Sequence, residues 1–378
     1  MTATGALSGR AVTVVGGGIG GVTAALALAR RGAQVRVLER APQLSELGAG
    51  LQLSPNGMRV LTALGLDQAV AQVSRPGQGV RLFDHHARPV LHLDMARHRP
   101  DASFRMIHRA RLLDCLTDAA RTAGVDLRLG QEVRTPPDTP LVIGADGLHS
   151  RMRVALNGRE VPFFTGQTAW RALIPDDSSG PAPAQVFMGP GRHLVSYPLA
   201  GGLRNIVAVT ERREWQDEGW SQPGDPDDLR AAFAGFGGPV QGWLAAVTQA
   251  HLWGLFRHHV APVWQDGRVA LLGDAAHPTL PFLAQGAVMA IEDAWVLAAC
   301  LDADPDQSAA LARYQAARLP RTARIVDAAT ANARNYHLTG ARRLIGHSVL
   351  RLAGRFAPGL MPARFDWLYD FDPVAEAL

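Results

Sequence analysis

The chain has 378 residues, a formal net charge of +4 and a hydrophobic fraction of 47%. That length allows two or three domains of about 100–200 residues each, and the composition is that of a soluble globular protein with a large core. No run of about 18 uncharged apolar residues offers a transmembrane helix, and the N-terminus lacks the basic and apolar regions of a signal peptide.

The first unit reads β-α-β. Residues 11–15 are a short β-rich run, residues 19–31 are alanine-rich with helical periodicity, and residues 34–39 alternate as a second strand. Residues 55–64 predict a helix with Ser54 as N-cap and Pro55 at the first helical position. Residues 79–83 and 89–93 predict strands around a polar turn. Residues 109–123 predict a helix, and residues 141–143 a buried strand running into Gly144-Ala145-Asp146-Gly147. The middle changes character. Short β-type runs at 167–174, 185–188, 193–198 and 205–210 are separated by Gly, Pro and Asp turns, which predicts an antiparallel sheet in a second domain. Residues 227–236 and 240–249 read as helical. An α/β pattern returns at 269–272 with a buried strand, then a Gly273-Asp274 turn, a proline-stiffened loop, and a helix opening near Gln285-Gly286. Residues 308–337 form a long arginine-rich helical region in which Pro320 predicts a kink or break.

Gly16-Gly17-Gly18-Ile19-Gly20-Gly21 places G-x-G-x-x-G between the first strand and its helix. Gly16 allows the tight turn, Gly18 lets backbone approach a pyrophosphate, and Gly21 allows close helix–strand packing. The helix start then offers free N–H groups and its dipole to the phosphates. Glu39 ends the second strand about 20 residues on, where a carboxylate accepts a ribose hydroxyl. FAD and NAD both satisfy this segment. The stretch 271–294 adds a strand, a carboxylate and a helix N-terminus within a short span, a good cradle for a polar ring that becomes anionic on reduction.

Together with Val142-Ile143-Gly144-Ala145-Asp146-Gly147, these motifs resemble the single-component FAD-dependent aromatic hydroxylases, and most nearly their salicylate hydroxylase-like branch. The resemblance extends over nearly the whole chain, through residues 48–56, Ile107-His108-Arg109, Ala169-Trp170-Arg171, Tyr197-Pro198 with Asn205, and Trp367-Leu368-Tyr369. It implies a p-hydroxybenzoate hydroxylase-like α/β fold: a doubly wound Rossmann-type FAD-binding domain, an antiparallel β-sheet substrate domain and C-terminal helices. The expected divisions are 1–74, 101–160 and 262–318 for the FAD domain, 75–100 and 161–261 for the substrate domain, and 319–378 for the helical region.

The cofactor residues so implied are Gly16, Gly18, Ile19, Gly20, Gly21, Glu39, Arg40, Gln52, Arg109, Val133, Asp146, Gly273, Asp274, Pro281, Gly286 and Ala287. By the same resemblance Asp274 bonds the ribityl chain, and Gly286 and Ala287 present N–H groups to the flavin's pyrimidine edge. Pro281 packs beside the reactive part of the ring, and Arg109 reaches the ribityl or phosphate region. Asp146 serves the cofactor, or caps the helix that follows, or both. One departure stands out. Only Arg-Thr-Pro-Pro-Asp-Thr-Pro separates Val133 from Leu141, where relatives carry a longer β-rich excursion.

The reaction implied is NAD(P)H- and O₂-dependent hydroxylation of a phenolic or hydroxybenzoate-like molecule through a flavin C4a-hydroperoxide. The electron donor, NADH or NADPH, binds transiently, since no second Gly-rich βαβ unit is present. An epoxidase or polyketide-type hydroxylase on the same fold, or a flavin-binding ligand sensor, are the alternatives. A general base working near neutral pH is a histidine or tyrosine. His193 and Tyr197 sit four residues apart on one predicted strand and so face one side. Gln285 is expected at flavin or substrate, and Arg171 either grips a substrate carboxylate or forms a structural ion pair. The catalytic set is thus His193, Tyr197, Gln285, Pro281 and Arg171, with His277 and Trp170 read as structural.

The chain contains no lysine, so all 38 Lys+Arg positions are arginine. Lysine-based covalent catalysis is excluded, and any anion clamp must be a guanidinium. The arginines are scattered and not interleaved with aromatics, which excludes a nucleic-acid footprint. Cys115 and Cys300 form no disulfide framework, and the pairs His85-His86 and His258-His259 lack metal-ligand spacing. The expectation is a cytoplasmic enzyme, monomer or homodimer, that binds no metal and no membrane.

Overall fold

The computed structural model describes residues 5–44, 50–215 and 222–376. Gly48 and Ala49, part of the 48–56 motif, lie outside the described residues. Two sheets organise the chain. A five-stranded parallel sheet runs Val269–Leu271, Leu141–Gly144, Ala11–Val15, Gln34–Leu38, Asp126–Arg128. Its register pairs Val12 with both Val35 and Leu141, so the first strand is central. The strands Val269–Leu271, Leu141–Gly144 and Ala11–Val15 are buried almost throughout, whereas Gln34–Leu38 alternates with Gln34 and Arg36 exposed. Val12, Val14, Val37, Val142, Ile143 and Ala270 are each at most 1% exposed. The helices Ile19–Ala29 and Gly286–Ala303 pack on one another there. Both are apolar nearly all round, which is what burial on every side requires.

The second sheet has ten strands. Its main path runs Gln222–Gly224, Ala250–Arg257, Phe163–Pro175, Leu203–Glu211, Arg192–Leu199, Ala182–Gly189, Ser74–Asp84, Arg105–His108, Gly50–Leu53, and Pro89–Asp94 pairs with Ser74–Asp84. The two-residue period of a strand divides its side chains between two faces. Trp170, Leu194 and Ile206 face a core closed by Phe233, Phe236, Val240 and Leu244 from the helical segment beyond residue 225. The intervening His193, Val195 and Tyr197 face the first sheet's domain. The sheet does not stop at the expected domain boundaries, since Gly50–Leu53 and Arg105–His108 join it through Ser74–Asp84.

Two local expectations need correction. Pro320 neither ends nor divides its helix, and Gln307–Tyr336 is continuous over 30 residues. Ion pairs made by Arg318 and Arg321 and the Thr322 hydroxyl bond to the Arg318 carbonyl hold both sides of the proline, offsetting its missing donor. Ser54 stands at the N-cap of Pro55–Ala63 without capping it. Its hydroxyl instead donates to Asn56 Oδ1 at 2.7 Å and accepts from Gln285 Nε2 at 3.0 Å. The strand Ala250–Arg257 and the helix Gly340–Phe356 are elements that the sequence reading did not assign. Among the described residues no strand lies between Arg128 and Leu141, in keeping with the short proline-rich link.

Candidate active site

A cavity of about 260 Å³ lies where the two sheets' domains meet. The glycine loop forms one end. Gly16 has φ +107°, and a Cβ there would stand 2.2 Å from the Ala145 carbonyl oxygen. A Cβ on Gly21 would stand 2.0 Å from the Gly16 oxygen, and one on Gly20 2.8 Å from Leu272 Cδ1. These three are glycine because backbone and helix pack there. Gly18 differs: nothing lies within 4 Å of a Cβ built on it, and it borders the cavity with Ile19 and Gly20. The helix beginning at Ile19 has no side-chain cap, so its first N–H groups are available to an anion. Glu39 stands beside this loop. Its Oε2 accepts from Gly17 N–H at 2.6 Å and its Oε1 from Ala41 N–H at 2.8 Å, and each oxygen keeps a second lone pair. Arg40 is exposed and Val133 half-buried against the first core; neither lines the cavity.

Asp146 takes its place ahead of the helix Arg151–Asn157. It accepts from Arg151 N–H at 2.7 Å, Met152 N–H at 3.2 Å and the Ser150 hydroxyl at 2.5 Å, while Ser150 caps Arg153 N–H at 2.8 Å. The two residues share the capping work, and Gly147 beside them borders the cavity.

The opposite wall is the turn after Val269–Leu271. Gly273 has φ +61°, a left-handed conformation that suits glycine. Asp274 is exposed to the cavity, yet protein surrounds it closely. That desolvation raises its carboxyl pKa, and the charges of Arg109 and His277 oppose the rise. Arg109 opens its helix and also lines the cavity. A buried network holds the turn from behind. Asp293 Oδ2 accepts from Gly273 N–H at 3.1 Å and lies 2.5 Å from His277 Nε2, while Oδ1 accepts from Arg318 Nε at 2.7 Å. Burial alone would raise the Asp293 carboxyl, but His277 and Arg318 outweigh it and hold it at about 2. His277 is therefore structural.

The loop then passes through Pro281 to Ala284, whose φ of +53° is left-handed for a non-glycine residue. Pro281, Gly286 and Ala287 line the cavity. The helix starting at Gly286 likewise has no side-chain cap. Gln285 does not line the cavity. Its Nε2 donates to Ser54 Oγ at 3.0 Å and its Oε1 accepts from Asn56 Nδ2 at 3.1 Å. The same Asn56 amide donates to Glu292 at 2.6 Å, and Glu292 pairs with Arg318 at 2.7 Å and Arg321 at 2.8 Å. Two uncapped helix starts, a crowded carboxylate and an arginine thus face one cavity. That donor set fits a dinucleotide carrying an anionic diphosphate at one end and a ring at the other.

The β-sheet side supplies Arg171, His193, Tyr197 and Trp253 to the lining, and Gln52 borders the cavity from the strand Gly50–Leu53. Arg171 lies over the Trp253 ring, 4.6 Å from its centroid. Burial pushes the Tyr197 hydroxyl well above its usual range, opposed by Arg171. His193 is 1% exposed, and burial with the neighbouring His337 depresses its pKa well below the ordinary value. Its Nδ1 lies 2.7 Å from His337 Nε2, and its Nε2 is buried with no hydrogen-bond partner among the described residues. Sequence reasoning missed His337 and Glu211 beside it, and the group Glu292, Asp293, Arg318 and Arg321. No local spacing signals either set. Trp170 is core, 2% exposed.

The FAD binding domain family matches residues 10–140 and 138–329. A 3-amino-4-hydroxybenzoate 2-monooxygenase of Streptomyces platensis is 36% identical, with 96% of each chain covered. A 3-hydroxybenzoate 6-hydroxylase of Klebsiella oxytoca is 32% identical over 94% of this chain and 95% of its own. Among solved structures, Klebsiella pneumoniae HpxO complexed with FAD and uric acid superposes with a TM-score of 0.81 at 26% identity, covering 93% of this chain and 95% of that one. The chain belongs to the FAD binding domain family, and its curated relatives are monooxygenases of aromatic rings.

Proposed function

We propose that this enzyme hydroxylates a small hydroxylated aromatic acid, using O₂ and NADH or NADPH with FAD as its cofactor. The observation that carries the reading is the pairing of a dinucleotide-shaped cradle with His193, Tyr197 and Arg171 across the same cavity. The segments 1–74, 101–160 and 262–318 hold the cofactor in this reading, 75–100 and 161–261 the substrate, and 319–378 brace both. Bound FAD supplies the chemistry of oxygen transfer. The protein's own groups bind, orient and deprotonate. Gly18 and the helix start at Ile19 receive the diphosphate, and Asp274 the sugar chain. The helix start at Gly286 stabilises negative charge on the ring.

His193 Nε2 takes the phenol proton, which raises electron density on the ring to be attacked. Arg171 and Tyr197 orient the acid, with a guanidinium suited to a planar carboxylate. Arginine and histidine in the lining favour a hydroxy acid over an apolar polyketide. Two free cysteines suit a reducing cytoplasm, where we place the enzyme.

Purified protein should be yellow. A panel including 3-amino-4-hydroxybenzoate and 3-hydroxybenzoate should stimulate NAD(P)H oxidation with a hydroxylated product. Release of peroxide alone with every compound would sink the reading. Asp274→Ala should weaken FAD retention by about 1.5–3 kcal/mol, since it removes a charged acceptor. Flavin absorbance after dialysis measures this, and unchanged content would contradict the role given to Asp274.

A further inference from the structure

We propose that Glu211, His337 and His193 form a proton relay from the substrate cavity to solvent, in which Glu211 sets the tautomers that leave His193 Nε2 a bare acceptor. The proposal rests on the reading of His193 as base. Three separate elements bring the residues together: His193 in Arg192–Leu199, Glu211 at the end of Leu203–Glu211, and His337 at the C-cap of Gln307–Tyr336. His337 Nδ1 lies 2.9 Å from Glu211 Oε1, and His337 Nε2 lies 2.7 Å from His193 Nδ1. The side-chain exposure changes abruptly along the row, from 2% at His337 to 57% at Glu211.

Hydrogen-bond bookkeeping decides the proton positions. An ionised carboxylate only accepts, so His337 Nδ1 must carry the N–H that donates to Glu211. His337 Nε2 is then bare, and His193 Nδ1 must donate to it. That leaves the lone pair of His193 on Nε2, the buried nitrogen without a partner. The reverse tautomers would set a lone pair against the carboxylate. The Gln167 amide nitrogen lies 3.4 Å from the same His337 Nδ1, and its Oε1 has no partner among the described residues. Exchanging the two amide atoms makes Gln167 a second acceptor there.

The surroundings suit transfer. Phe282 and Tyr336 each place a ring centroid 5.1 Å from that of His193, closing the pair off from water. Glu211 and Gln167 instead border an open cleft of about 700 Å³ beside Arg212, Arg213, Arg257 and Arg334. Burial lowers both imidazoles, Glu211 pulls His337 back up, and Arg192 opposes it.

The step balances. The phenol O–H bond breaks and its proton goes to His193 Nε2. The proton on His193 Nδ1 moves to His337 Nε2, and that on His337 Nδ1 moves to the Glu211 carboxylate, which releases it to water. When the product's phenol oxygen takes the proton from His193 Nε2, Glu211 takes one from water and passes it to His337 Nδ1 while the His337 Nε2 proton returns to His193 Nδ1, and the row resets.

The test mixes oxidised FAD-loaded enzyme with 3-amino-4-hydroxybenzoate or 3-hydroxybenzoate, without NAD(P)H. A stopped-flow instrument follows phenolate absorbance and, with a pH indicator, proton release. Glu211→Gln keeps an acceptor but takes no proton, and His337→Leu breaks the row. Both should slow proton release by about 10²-fold and move ionisation of the bound phenol to higher pH, and Glu211→Asp should restore part of the rate. His193→Ala should abolish both signals. If His337→Leu fails to fold, Glu211→Gln, at an exposed side chain, carries the test. Release and ionisation unchanged in Glu211→Gln, with both lost in His193→Ala, would overturn the relay and leave the base in place. Both signals unchanged in His193→Ala would overturn the base reading and the relay with it.

Discussion

Arg318→Ala is expected to lower unfolding free energy by about 3–5 kcal/mol, the range for removing one partner of a buried ion pair. Arg318 is 0% exposed and pairs at 2.7 Å with each of Glu292 and Asp293, both also 0% exposed. Arg321 would still serve Glu292, with its guanidinium 3.8 Å from the Phe371 ring centroid. Among the described residues Asp293 would keep only His277 and the Gly273 N–H. The turn that positions Asp274 would therefore loosen along with the fold. Urea unfolding measures the effect, and a loss below about 1 kcal/mol would rule out the assigned weight.

The pH dependence has a definite sign. Asp293's folded pKa, about 2, lies below its ordinary value of 3.8. Its ionisation therefore contributes stability that is fully present above the ordinary value and is lost as pH falls through about 2. Wild-type enzyme should lose stability across that window, and Arg318→Ala should show a shallower slope there.

His193→Ala should reduce kcat for hydroxylation by about 10²–10⁴, the usual contribution of a positioned base, with flavin content unchanged. The imidazole's pKa is held well below its ordinary value, so the proposed base stays neutral as pH drops through the range where free imidazole would protonate. The wild-type rate should accordingly hold on the acid side of neutrality, and the variant should recover activity only as pH rises toward the phenol's own ionisation. Product formation measured against pH checks both. A fall of less than about threefold at neutral pH would remove His193 from the role.

The cofactor half of this molecule was legible from its residues. Gly16, Gly18, Gly20 and Gly21 stand at the spacing of a strand–turn–helix cradle, although only Gly21 meets a local atom, while Gly16 and Gly20 are confined by Ala145 and Leu272. The pairing of His193 with Tyr197 on one face follows from the strand period alone. Gln285 shows where local reading runs out. Its position at a helix start suggests a contact with the ring, but Ser54 and Asn56, more than 200 residues away in the chain, take both ends of its amide.

The family, the glycine loop and the strand that carries His193 show in short-range patterns, because residue spacing follows the local geometry of a turn, a helix start or a strand. Tertiary structure alone decided the rest. It placed His337 and Glu211 behind His193, across 144 and 126 residues of chain for the two contacts. It also turned Arg318, one arginine among many in a helical region, into the cation that holds Asp293 under the Gly273-Asp274 turn. A buried charge and a surface charge look the same in a sequence. What separates them is the loss of water around the group and the partner that replaces it, and both appear only when distant segments pack.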